Sequence, residues 1–319
     1  MGNFKFLKST DLNTLDLNTV IPESDFSITT TDGKFLQFQY VDETKDAKKY
    51  PVNAGIWKIN ASTSGFFLEK TSFVKDSILE EFTNTKKIET TVDCFLNNLH
   101  LYKEFGIEVP KRGILLYGPQ GTGKSTAISK CIEKYVSDEK TAVIIWHSAK
   151  FEAYQVKDFI AVFDYKNVEK LILVIEDLGG IENEDATIAS DQSLLSLLDN
   201  QEKTFTIPVM IIATTNFPQN FAANITNRAG RFDDKIEIGY PDAGARMALL
   251  KFFANEWATP EALEYVQNKR CDRLPPSQLR ESYIRCRLHS KTLLETLKEM
   301  TEESELYEKA FSKKSGLGF

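Results

Sequence analysis

Cysteine and histidine are scarce in this 319-residue sequence, with four of the first and three of the second. Cys94, Cys131, Cys271 and Cys286 form no Cys-x-x-Cys pair, and with His100, His147 and His289 they show no metal-ligand spacing. Neither a disulfide framework nor a zinc site is expected, and the thiols read as buried or incidental ones in a reducing compartment. Long apolar runs are also missing. The longest, such as Ala142–Trp146, Leu171–Ile175 and Val209–Ala213, are five residues each, against the roughly 20 that a membrane-spanning helix needs. The opening MGNFKFLKST lacks the apolar core of a secretory signal, and it carries Phe6 where N-myristoylation wants Ser or Thr. A soluble, cytoplasmic chain is the expectation.

What is present is an ordinary globular composition. At 42% hydrophobic and 27% charged, with 22 Phe and 11 Tyr, the chain is too rich in apolar residues to be disordered. Its length suits two or three domains, each able to bury a core. The net charge of −7 argues against coating the whole surface with nucleic acid or anionic membrane, while leaving local patches open.

Three regions differ in pattern. Residues 1–75 carry short alternating stretches: Lys34–Tyr40 after the Asp32-Gly33 turn signal, then Gly55–Ile59 and Gly65–Leu68. They predict a small β-rich domain, with a hairpin at Asp32-Gly33. Residues 76–241 alternate apolar strands (Gly113–Tyr117, Ala142–Trp146, Leu171–Ile175, Val209–Ala213, Lys235–Ile238) with helical stretches such as Lys124–Tyr135 and Ser190–Asp199. Buried strands separated by helices predict an α/β domain built on a parallel sheet. Residues 242–319 are helical up to a short polar tail, with a break at Leu274-Pro275-Pro276, and predict a small helical domain.

The strongest motif is Gly118-Pro119-Gln120-Gly121-Thr122-Gly123-Lys124-Ser125, followed by Thr126. It fits G-x-x-x-x-G-K-[ST] between an apolar strand and a helix. Glycines let backbone N–H groups wrap a polyphosphate, and the following helix points its positive end at the anion. Lys124 is suited to neutralise the β- and γ-phosphates, and the Ser125 hydroxyl to ligate Mg²⁺, which makes ATP with Mg²⁺ the expected ligand. The stretch Leu171–Ile175 then ends in Glu176-Asp177, carboxylates at the strand end where parallel sheets bind ligands. Val209–Thr215 ends in Asn216, which can hold an attacking water or sense the γ-phosphate, or serve as an ordinary turn asparagine. In Asn227–Asp234, Arg228 and Arg231 carry the planar, permanently cationic groups that suit transition-state phosphate charge, although such a stretch alone also reads as an exposed loop.

Together, RGILLYGPQGTGKST, LILVIEDL, MIIATTNFPQNF and NRAGRFDDKIEIGYPD resemble the Walker A, Walker B, sensor-1 and arginine-finger motifs of the AAA family of AAA+ ATPases, in their usual order. QSLLSLLDN resembles the helix before that family's sensor strand, and the resemblance extends over about residues 75–290. The run FLNNLHLYKEFGIEVPKRGILLYGP and the order Glu176-Asp177 are similar to the branch of the mitochondrial Rieske-protein translocase, though without a stretch able to form that branch's membrane anchor.

The resemblance implies an AAA+ P-loop sheet domain with a C-terminal helical lid, preceded here by the β-rich domain as an adaptor or substrate-facing part. It also implies roles. The family's Walker B pattern ends Asp-Glu, so the acids are exchanged here: Glu176 would support Mg²⁺ and Asp177 would polarise the water. Asn216 takes the sensor-1 position. Arg228 and Arg231 take the two finger positions, which reach into a neighbouring subunit and so imply a homo-oligomeric ring, commonly a hexamer. Tyr154, or alternatively Phe151, falls where threading members carry a pore aromatic, while either can equally be core packing.

The expected function is an Mg·ATP-dependent ring ATPase that remodels, unfolds or threads a protein. Two alternatives are a motor or loader acting on nucleic acid and a poorly hydrolysing, ATP-bound scaffold. Lys269–Lys291 holds seven basic residues (Lys269, Arg270, Arg273, Arg280, Arg285, Arg287, Lys291) against two acids (Asp272, Glu281). That run fits a nucleic-acid patch, or more readily a helical face that meets an acidic neighbour or bound nucleotide.

Overall fold

The computed structural model describes residues 26–29, 35–39, 50–51, 53–62, 65–72, 85–137, 139–147, 160, 163–164, 168–178, 192–199, 205–220 and 231–312. These divide into two compact units. One is drawn from residues 1–76, 86–116 and 128–236, the other from residues 77–85, 117–127 and 237–319.

The first unit is organised by a sheet of nine strands among the described residues. In chain order they are β1 (Phe26–Thr29), β2 (Phe35–Gln39), β4 (Gly55–Ser62), β5 (Gly65–Thr71), β6 (Lys111–Tyr117), β7 (Thr141–His147), β9 (Lys170–Glu176), β10 (Val209–Thr215) and β11 (Asp234–Glu237). Two short strands, β3 (Tyr50–Pro51) and β8 (Phe163–Asp164), pair separately and parallel. The order across the large sheet is β1-β2-β5-β4-β7-β9-β10-β6-β11.

The five apolar stretches read as strands are β6, β7, β9, β10 and β11, each extended by a residue or two or shifted by one. Their continuous apolar character follows from burial on both faces: all seven residues of β10 and six of β7 are buried. Strands β7, β9 and β10 run parallel, with Ile175 opposite Ala213 and His147 opposite Glu176.

The strands of the β-rich stretch pair with the central sheet. Strand β1 is antiparallel to β2, and β5 links β2 to β4, while the expected turn at Asp32-Gly33 lies outside the described residues. Strand β4 then lies parallel to β7, Gly55 opposite Ala142 and Trp57 opposite Ile144. Trp57, Ile59 and Leu68 share one core with Trp146, Leu171, Leu173 and Ile211. These strands therefore continue the central sheet and have no separate core of their own among the described residues.

The helices of this part of the chain are α1 (Thr85–Asn97), α2 (Leu99–Glu104), α3 (Lys124–Val136) and α4 (Gln192–Asp199). Helix α1 buries Ile88, Val92, Phe95 and Leu96, and α3 buries Ala127, Ile128, Cys131 and Ile132, each at helical spacing on one face. Burial pushes the Cys131 thiol up to about 12, so it stays protonated at neutral pH.

The C-terminal part is helical: α5 (Ala243–Ala254), α6 (Pro260–Tyr265), α7 (Pro276–His289) and α8 (Leu293–Ser312). Each start has a local cause. Asp242 accepts the Ala245 N–H and Thr259 accepts that of Ala262, while Pro260 and Pro276 occupy first-turn positions that need no N–H. Thr292 and Glu295 form a reciprocal capping box ahead of α8. Leu249, Leu250, Val266, Leu279, Cys286 and Leu297 make this part's own core. Buried Arg246 is tied to the carbonyls of Pro241 and Val266 and to Asp272. Among the described residues no helix is long and apolar enough to cross a membrane.

Candidate nucleotide site

The phosphate loop leaves β6 at Tyr117 and enters α3 at Lys124. Its turn depends on backbone that only glycine adopts easily: φ is +149° at Gly118 and +77° at Gly121. A Cβ at Gly118 would overlap the carbonyl oxygen of Ile238, and one at Gly121 would overlap the Ser277 hydroxyl. Thr122 donates its hydroxyl to the Pro119 carbonyl at 2.9 Å, closing the loop on itself. The Lys124 side chain turns back into the loop, where Nζ donates to the carbonyls of Gly118 and Pro119, both at 2.8 Å. Lys124 is only 6% exposed, so its charge is fixed beside the loop carbonyls, whereas Ser125 is exposed at the first turn of α3.

Ser277, near the start of α7, belongs to this loop as well, and sequence reasoning missed it. Its N–H donates to the Gly121 carbonyl at 3.3 Å. The Pro275-Pro276 signal marked the helix start without showing what the start would touch.

The acidic strand end belongs to the first unit. Glu176 closes β9, and its Oε2 lies 2.9 Å from His147 Nε2. The parallel register that sets His147 opposite Glu176 explains this contact, which no spacing in the sequence indicated. Asp177 follows with φ of +53°. Its N–H donates to the Thr214 hydroxyl at 3.0 Å, and the next N–H, of Leu178, donates to the Thr214 carbonyl at 2.7 Å. Asn216 lies just beyond β10 and is half-buried.

Arg231, one of the two expected finger positions, is paired within its own chain. It is 3% exposed, and its guanidinium makes a two-point pair with Asp199 at the end of α4, with Nε to Oδ1 and Nη2 to Oδ2 both at 2.8 Å. The hydrogen bond with Asp199 raises its already high pKa. The Arg231 carbonyl also sits where a side chain at position 113 would have to go, so Gly113 is required there. A guanidinium held this way is occupied within its own chain. Arg228, Phe151 and Tyr154 lie outside the described residues.

The basic run also looks different once folded. Arg270 pairs with Glu305, Arg285 with Glu281 and Glu303, and Lys291 with Glu299. Arg287 stacks over Trp257, 4.2 Å from the ring centroid. Helix α8 thus supplies acids that neutralise much of the run from the side.

A glycine-rich loop closing on a lysine between strand and helix, in a mostly parallel sheet flanked by helices, defines the α/β P-loop nucleoside triphosphatases. The comparisons narrow the class. Residues 114–240 match the model of the "ATPase family associated with various cellular activities (AAA)", so that segment is similar to an AAA ATPase domain. The chain is similar to "ATPase family gene 2 protein" of Schizosaccharomyces pombe, 30% identical over 52% of this chain and 21% of that protein. It is also similar to "Cell division cycle protein 48 homolog" of Archaeoglobus fulgidus, 30% identical over 60% of this chain and 27% of that protein. A third relative is "Probable 26S proteasome regulatory subunit 10B" of Caenorhabditis elegans, 29% identical over 54% of this chain and 44% of that protein. The chain thus spans less than half the length of each of these relatives.

Proposed function

We propose that this chain is an Mg·ATP-dependent AAA ATPase that works as a homo-oligomeric ring, commonly a hexamer in this family, and remodels a protein substrate. The observation that carries the reading is the phosphate loop, with Lys124 fixed at 6% exposure against the loop carbonyls inside a segment that matches the family. The names of its relatives, a proteasome regulatory subunit and an "ATP-dependent zinc metalloprotease FtsH" of Sulfurovum, favour protein over nucleic acid as substrate. The pairing of the basic run with α8 supports the same choice. The Glu176-Asp177 order and the run from Phe95 to Pro119 resemble the Rieske-protein translocase branch and support it as the reading within the family.

The chemistry is mainly positioning and charge neutralisation. The loop from Gly118 to Gly123 and Thr126 bind the polyphosphate, and Lys124 neutralises its β- and γ-oxygens. Ser125, Glu176 and Asp177 offer only oxygen donors, the set that suits Mg²⁺. The ion, when bound, offsets phosphate charge. Asp177 polarises the attacking water and Asn216 orients it. Arg228 and Arg231 hold the two finger positions, and the Arg231–Asp199 pair favours Arg228 as the trans-acting one. Tyr154 or Phe151 grips the substrate chain.

The test is ATPase activity of the full chain with and without an unfolded protein or DNA. Lys124→Ala should abolish hydrolysis, unfolded protein should stimulate the wild type, and Tyr154→Ala should lose that stimulation while keeping the basal rate. For the ring, Lys124→Ala subunits mixed with Arg228→Ala subunits should regain activity that neither has alone. Stimulation by DNA alone would make the chain a nucleic-acid motor, and ATP binding without turnover would make it a scaffold.

A further inference from the structure

Among the described residues, three that are not glycine have positive φ: Asp177, Asn255 and Ser290. Ser290 sits just past the end of α7, where a left-handed residue is common, and Asn255 closes the end of α5 in a different conformation. Asp177 has no such helix to close. It follows a buried strand, and the chain there leaves the β9–β10 ladder just beyond the Ile175–Ala213 pair.

Both backbone N–H groups that follow Glu176 end on one residue of β10. Asp177 N–H reaches the Thr214 hydroxyl at 3.0 Å and Leu178 N–H reaches the Thr214 carbonyl at 2.7 Å. Thr214 is 1% exposed between Ala213 and Thr215, which are both fully buried, so its hydroxyl cannot move away without leaving a buried group unpaired. A valine of the same shape would offer no acceptor to the Asp177 N–H.

The left-handed region is visited several-fold more readily by aspartate and asparagine than by residues with longer side chains, because a short polar side chain can bond locally. We infer that Thr214 is a positioning residue for the catalytic carboxylate. Its hydroxyl and carbonyl hold the exit of β9 in the left-handed conformation, and that conformation is what selects aspartate over glutamate at position 177. The exchanged order of the two acids is then an adaptation to this backbone. The inference rests on the reading of Asp177 as the residue that polarises water.

The experiment is steady-state ATP hydrolysis by the full chain, together with ATP binding and thermal unfolding. Asp177→Asn tests the underlying reading: it should bind ATP and lose about a hundredfold in kcat. Thr214→Val should lower kcat about tenfold, as expected of a small misplacement, with KM within about twofold of wild type. Thr214→Ser restores the hydroxyl and should recover kcat to within about twofold. Asp177→Glu, the family's usual residue, should lower both kcat and the unfolding temperature. If Thr214→Val is recovered only as aggregate, Thr214→Cys, of similar size and poorer as an acceptor, replaces it in the comparison with serine.

The inference is overturned if the valine variant hydrolyses ATP like the wild type, if serine is as impaired as valine, or if Asp177→Glu matches the wild type in rate and stability. A fully active Asp177→Asn sinks the reading of Asp177 itself, whatever the Thr214 variants do. An inactive Asp177→Asn beside a normal Thr214→Val removes Thr214 alone.

Discussion

Two arginines three positions apart occupy a motif that the family resemblance treats as a pair, but Arg231 has a use inside its own chain. Its pair with Asp199 is deeply buried, with side-chain exposures of 4% and 11%. Removing one partner of such a pair leaves a charge in a low-dielectric setting without compensation, which typically costs about 3–5 kcal/mol. Arg231→Ala should therefore shift the urea midpoint strongly and lose activity through instability. Replacing both partners with apolar residues, as in Arg231→Met with Asp199→Leu, should recover most of the stability, because the desolvation of two charges disappears with them. Arg228→Ala should leave the urea midpoint unchanged and lower hydrolysis in the assembled protein. If Arg231→Ala unfolds at the wild-type urea concentration and loses only turnover, its side chain acts in catalysis and the Asp199 pair is incidental.

Among the elements, α7 and α8 show how a charge run changes meaning when its neighbour is known. Along the sequence the run from Lys269 to Lys291 stands out as basic, but Glu299, Glu303 and Glu305 of α8 lie against it. Neutralising these acids in a Glu299→Gln, Glu303→Gln, Glu305→Gln variant should create salt-sensitive DNA binding that the wild type lacks. Binding should be measurable near about 50 mM salt and largely lost by about 200 mM, since phosphate contacts release counterions. Equal binding by wild type and variant, by fluorescence anisotropy, would mean that the paired arginines are still available to phosphate.

The strands β6, β7, β9 and β10 were legible from the sequence because burial on both faces leaves an uninterrupted apolar run, and the phosphate loop because its glycines and lysine are adjacent. Asp199 with Arg231, Ser277 with Gly121, and Thr214 with Asp177 were not legible. Each joins residues at least 32 positions apart, and strand register or helix packing rather than local pattern brings them together.

For the whole molecule, the consequential placement is that of the strands within residues 1–75. An alternating, modestly apolar stretch predicts strands, yet nothing in that pattern says which sheet they join. Strand β4 joins β7 in register from Gly55–Ala142 to Lys58–Ile145, and it brings Trp57 and Ile59, with Leu68 of β5, into the core of the ATPase strands. A detachable adaptor would leave the remainder intact when removed. Here, removal exposes an edge of β7, whose residues from Thr141 to Trp146 are all buried, and an unpaired apolar edge is a template for aggregation. It also strips three large side chains from the core at about 1.5–3 kcal/mol each, a large share of the roughly 5–15 kcal/mol that holds a domain folded. The chain truncated to residues 76–319 should therefore appear in inclusion bodies or elute as aggregate on gel filtration, with no ATPase activity. A soluble, monodisperse truncation that hydrolyses ATP like the full chain would show that the N-terminal strands are an attachment to the sheet and not part of its foundation.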